Sequence, residues 1–154
     1  MSLECEIPFE TSEGNKYVLS FSIFNQNNVP ISTQIIDITL VAVSQLGIIN
    51  SVKTFSYVIN VIAEYLIDKD VILYYYCDTS EIYVRNSRNP VSFQEFRFNL
   101  FNALFSKANH PDLFIKNVII DDENNGNHYI SLIYRQNSED EIEILSSELS
   151  KFQK

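Results

Sequence analysis

The stretch Val71-Ile72-Leu73-Tyr74-Tyr75-Tyr76-Cys77, near the middle of the chain, is apolar or aromatic at odd and even positions alike. A β-strand sends successive side chains to opposite faces, so such a run needs cover on both. That restricts the chain to folds in which this strand is central, with other elements above and below it. The run ends abruptly in Asp78-Thr79-Ser80-Glu81. Its polar end is therefore predicted to open to water.

Patterns on either side supply the cover. Cys5, Ile7 and Phe9 alternate with Glu4, Glu6 and Glu10, interrupted by Pro8, which predicts a half-exposed edge strand. Gly14-Asn15 marks a turn, and Tyr17, Leu19, Phe21 and Ile23 form the returning strand of a hairpin. The β-branched run Ile35 to Val43 is a third strand. Asn50 or Ser51 caps a helix from about Val52 to Ile67, with Phe55, Val58, Ile59, Ile62, Tyr65 and Leu66 on one face.

After the central run, Glu81 to Arg88 reads as a short helix ended by Asn89-Pro90. Ser92-x-x-Glu95 is a capping box that opens a helix carrying Phe93, Phe96, Leu100, Phe101 and Leu104. Leu113 to Ile120 and Tyr129 to Tyr134 are strands of a hairpin around Asn125-Gly126. A second capping box, Ser138-x-x-Glu141, opens a last helix with a stripe of Ile142, Leu145, Leu149 and Phe152. The expected fold is one α+β domain over residues 1–154, in the order β-β-β-α-β-α-β-β-α. It has a mixed, mainly antiparallel sheet of about six strands with three or four helices. The helix before the central strand implies a right-handed crossover to a parallel neighbour.

Composition matters mainly for what it excludes. The formal net charge of -9 argues against a phosphate backbone or an anionic membrane as partner. No apolar run reaches the roughly 18 residues that a membrane-spanning helix needs. The start of the sequence has no basic region followed by an apolar one, and Cys5 and Cys77 form no metal-type pair. The expectation is a cytoplasmic protein with two buried, reduced thiols.

Chemistry-bearing residues gather at the end of the central run. Asp78, Thr79, Ser80 and Glu81 lie where ligands favour sheets with parallel strands, and Arg85, Arg88 and Arg97 offer forks for an anionic group. The simpler alternative has the same acidic and hydroxyl groups capping a helix and the arginines making ion pairs. Cys77 beside Asp78 invites a nucleophile, but the two histidines, His110 and His128, are not local to it. Asp121-Asp122-Glu123-Asn124-Asn125 is rich in hard oxygen donors without EF-hand spacing, and reads as a solvated hairpin tip. No metal site and no catalytic residue is expected. Phe98 and Phe105 lie beyond the main stripe of their helix. The sheet and neighbouring helices cover them, or a partner or second copy does.

Two resemblances follow from these residues. Tyr76-Cys77-Asp78-Thr79-Ser80-Glu81, with Arg88 and Arg97-Phe98-x-Leu100-Phe101, is similar to a family of small uncharacterised bacterial proteins. In that family a strand ends in Cys-Asp-Ser-Ser-Asp before a helix with Arg and Phe, and no activity comes with it. The element order from about Tyr17 to Tyr134 resembles the later part of the GCN5-related acetyltransferase fold. In that fold a Gln/Arg-x-x-Gly-x-Gly/Ala loop holds the pyrophosphate of coenzyme A on backbone N–H groups. The matching stretch here, Gln45-Leu46-Gly47-Ile48-Ile49-Asn50-Ser51, has one glycine, spaced differently. This resemblance implies a degenerate relative without the cofactor. The expected function is a non-catalytic interaction or accessory domain, with a protein partner or a homodimer. The alternative is a divergent acyl-coenzyme A-dependent N-acyltransferase, the one case that calls for a coenzyme A thioester.

Overall fold

The structure is a computed structural model that describes residues 3–24, 26, 29–44, 51–77, 93–121, 128–135 and 138–150. In chain order the elements are β1 (Cys5–Glu10), β2 (Lys16–Ile23), β3 (Ile35–Ser44), α1 (Ser51–Leu66), β4 (Ile72–Cys77), α2 (Phe93–Ala108), β5 (Phe114–Ile120), β6 (His128–Tyr134) and α3 (Glu139–Ser150). They build one six-stranded sheet in the order β1-β2-β3-β4-β6-β5. Only β3 and β4 pair in parallel, and α1 is the connection between them. The other pairs are antiparallel. The fold is therefore the mixed, mainly antiparallel α+β sheet that the sequence predicts.

Pro8 sits in edge strand β1, where its missing N–H costs no ladder bond. The β1–β2 turn forms as read: Gly14 takes φ +92°, and the Thr11 N–H donates to the Asn15 carbonyl at 2.8 Å. The side chain of Thr11 also accepts the Asn15 N–H at 3.2 Å, which lets Asn15 be buried in a turn.

The central strand is covered on both faces. On one, Leu73 and Tyr75 join Leu19, Phe21, Ile36, Ile38 and Ile133 in a core closed by α1 and α2. All six apolar residues predicted for α1 are buried there. At the carboxyl end of α1, Lys69 Nζ donates to the Tyr65 carbonyl at 3.3 Å, and the Arg135 guanidinium donates to that of Leu66. Two cations thus meet the negative end of the helix dipole. On the opposite face, Ile35, Ile72, Ile130 and Leu132 pack against Ile142, Leu145 and Leu149 of α3.

Three expectations are corrected. Cys5 is exposed, because it starts an edge strand. The inward stripe of α2 is Phe98, Phe101 and Phe105, all buried, whereas Leu100 and Leu104 are only partly covered. Phe98 and Phe105, which the sequence leaves open between the core and a partner, are thus core. α2 is apolar around much of its circumference, so spacing alone does not select the inward side. Finally, Glu141 does not close a capping box with Ser138. Its carboxylate accepts the N–H groups of Ser32 and Thr33 at 2.7 and 3.1 Å and both their hydroxyls, pinning α3 to the loop before β3. The Thr33 hydroxyl, then the neighbouring amides, hold this carboxyl below the usual range.

The expected helix over 81–88, Ser92 of the first capping box, most of the Asp121–Asn125 tip and Phe152 lie outside the described residues. Among the described residues no helix is long and apolar enough to cross a membrane.

Candidate functional site

The parallel pair at the centre of the sheet comes apart early. Register runs from Ile35 opposite Ile72 to Ile38 opposite Tyr75 and stops there, yet β3 continues to Ser44. On its other side β3 stays paired with β2 through this stretch, Thr39 against Ser20 and Val41 against Val18. Beyond Ile38, then, one edge of β3 has no strand beside it among the described residues. A cleft of about 350 Å³ opens at the divergence, lined by Phe24, Asp37 to Leu40, and Tyr74 to Tyr76. It lies toward the carboxyl ends of two parallel strands, the position that ligands favour in such sheets.

The register also decides what faces the cleft. Asp37 is opposite Tyr74 on β4 and Ser22 on β2. Alternation puts it on the α3 side of the sheet, with Tyr74 and Tyr76. Phe24, Tyr74 and Tyr76 are partly buried and pack at the margin of the core that Ile142, Leu145 and Leu149 of α3 help to close. The Phe24 ring closes one end, 5.0 Å from that of Tyr74 at 43°. The Tyr76 hydroxyl shares a 2.7 Å hydrogen bond with Nδ1 of His128, the first residue of β6.

Electrostatically the cleft is a half-buried acid among phenols. Burial raises the Asp37 carboxyl above its ordinary range. Burial, then the charges of Asp37 and Tyr76, pushes the Tyr74 phenol up to about 12. Among the described residues neither the Asp37 carboxylate nor the Tyr74 hydroxyl has a hydrogen-bond partner. Both are polar groups partly withdrawn from water, and a ligand that satisfied them would recover part of that cost.

The cleft lies beside the end of β4 to which the sequence points, and the residues singled out there are mostly not described. Asp78, Thr79, Ser80, Glu81, Arg85 and Arg88 lie outside the described residues, and Arg97 is placed on α2 by its backbone alone. Cys77 pairs in register with Tyr129, one position from His128, but the His128 ring is bonded to Tyr76. Among the described residues no group of three or more His, Cys, Asp or Glu is placed to hold a metal ion. Asp37, Phe24 and the pair Tyr76–His128 escape the sequence reading. The signal for Asp37 is the lone charge within Ile35-Ile36-Asp37-Ile38-Thr39-Leu40.

No family model, curated protein or solved structure matches this chain.

Proposed function

We propose that this chain is a non-catalytic binding domain, and that its ligand is an extended peptide which adds as a strand to β3 inside the β3–β4 cleft. The observation that carries this reading is the length of β3 beyond its last partner on β4. An unpaired strand edge presents a row of N–H and C=O groups in fixed geometry, which is the usual template for strand addition. The outer edges of the sheet, β1 and β5, offer the same backbone groups. At β3, among the described residues, a free edge stands beside aromatic rings and an acid without a hydrogen-bond partner.

A second reading, a divergent acyl-coenzyme A-dependent N-acyltransferase, is favoured by the element order and by the central parallel pair. One titration separates the two. Backbone NMR spectra are followed on adding coenzyme A, acetyl-coenzyme A, or a pool of capped hexapeptides made from Val, Thr, Ser, Ala and Lys. The binding reading predicts that the pool shifts the amides of Thr39 to Val43 and Tyr74 to Tyr76, and that neither thioester nor thiol does. Saturable shifts at the same amides with acetyl-coenzyme A would move the assignment to the transferase.

A further inference from the structure

We infer that the peptide received by this cleft is basic, and that a Lys or Arg side chain of it seats over Asp37 beside the rings of Phe24, Tyr74 and Tyr76. This rests on the strand-addition reading above and names the chemistry of its partner.

Three observations converge on a cation. The Asp37 carboxylate is half-buried, and among the described residues no cation or hydrogen-bond donor meets it. Its surroundings are aromatic: Phe24 and Tyr74 stand 5.0 Å apart, and Tyr76 lies on the same face one step along β4. Aromatic faces beside a carboxylate attract a cation through the ring quadrupoles and through direct charge, and they also pack the alkyl stem of Lys or Arg. The third observation is the open sheet around the cleft. Register lines up Glu6, Ser20 and Thr39 in one row across β1, β2 and β3, with Glu6 exposed. Glu10 lies further along, with Lys16 of β2 opposite it. Glu6 adds one exposed carboxylate to this face, and the chain's net charge of -9 favours a basic segment over an acidic one.

Strand geometry makes the two requirements compatible. A strand added beside Thr39 to Ser44 sends every second side chain to the α3 side, and Asp37, two positions before the free edge, is within reach of a long side chain at its near end. A single basic residue on that side, flanked by β-prone neighbours, satisfies the backbone edge and the acid together.

The test uses the whole chain and five pools of capped hexapeptides. Each pool fixes Lys, Arg, norleucine, Gln or Glu at the third position, the others being mixtures of Val, Thr, Ser and Ala. The Lys and Arg pools are expected to bind about tenfold tighter than the norleucine pool, the ratio expected of a hydrogen bond to a charged group, with Glu weakest. Asp37→Asn, folded by its NMR dispersion, brings the Lys pool within about twofold of norleucine. As a check that needs no variant, raising salt from about 0.05 to about 0.5 M shrinks the wild-type preference for Lys. Equal binding of all five pools, or a preference that survives Asp37→Asn, overturns the basic partner and leaves strand addition standing. Failure of every pool to shift the Thr39 to Val43 amides removes strand addition itself, and this inference with it.

Discussion

Tyr75 shares a strand and a side-chain chemistry with Tyr74 and Tyr76, yet the sheet uses them in opposite ways. Tyr75 is 4 % exposed and lies 4.9 Å from the Phe101 ring, in the core that α1 and α2 close. Tyr74 and Tyr76 are half-buried and line the cleft, at the margin of the core that α3 helps to close. The difference comes from the helices, not from the strand. Among the described residues two helices, α1 and α2, close the core on one face, and α3 closes the core on the other with residues of β3, β4, β5 and β6. A face left partly open beside an early end to parallel pairing is where this fold has room for a ligand.

Substitutions at the three tyrosines put that contrast under the heaviest strain. Tyr75→Asp buries an unpaired charge and is expected to unfold the domain, a loss of about 3–5 kcal/mol against the limited stability of a small domain. Tyr76→Asp is expected to stay folded with a loss of about 1–2 kcal/mol, from the bond to His128 and partial burial. Circular dichroism melts of the pair decide it, and equal losses would mean that the two faces are equally covered.

Next in size is Phe101→Ala, which empties the roofed face where Phe55, Tyr75 and Phe105 meet the ring. A loss of about 3–4 kcal/mol in urea titrations is expected, with the cleft residues Thr39 and Tyr76 keeping their native NMR shifts.

Glu141→Gln probes how the partly covered face is held. The amide has one acceptor oxygen and turns its NH₂ toward donors, so a loss of about 1–2 kcal/mol is expected. The folded-state carboxyl is depressed, so its contribution is present above the unfolded value and is lost as pH falls through the folded one. The gap between wild type and variant should therefore close in acid, below about pH 4.

The smallest effect has the opposite sign. Asp37 has a raised carboxyl, so the native state holds its proton at higher pH than the unfolded chain does. Stability associated with Asp37 therefore falls as pH rises through the folded value. At neutral pH Asp37→Asn should leave the melting temperature unchanged or slightly raised, within about 0.5 kcal/mol. A clear loss of stability would show that the carboxylate serves the fold and is not held ready for a ligand.

How legible this was in the sequence differs between elements for physical reasons. α1 was readable residue by residue, because its buried positions form one stripe at helical spacing, even though Val52 and Tyr57 stand exposed outside it. α2 was readable as a helix but not in its orientation, because Phe and Leu surround it and only packing selects Phe98, Phe101 and Phe105. The capping box at Ser138 is a local pattern, and the loop before β3, distant in sequence, outbids it for Glu141. The cleft was half legible. The polar end of β4 points to the strand end beside which the cleft opens, but Asp37 belongs to a neighbouring strand and becomes relevant only through register. No spacing rule reports where a parallel pair stops.

The free edge of β3 can be measured directly, with no ligand, by amide hydrogen exchange at single-residue resolution. Within Thr39 to Ser44, amides directed away from β2 should exchange far faster than their neighbours bonded to β2. Between Ile35 and Ile38 protection should be continuous on both sides. Uniform protection along the whole of β3 would mean that its edge is already occupied, and would contradict the cleft as a place for a partner strand.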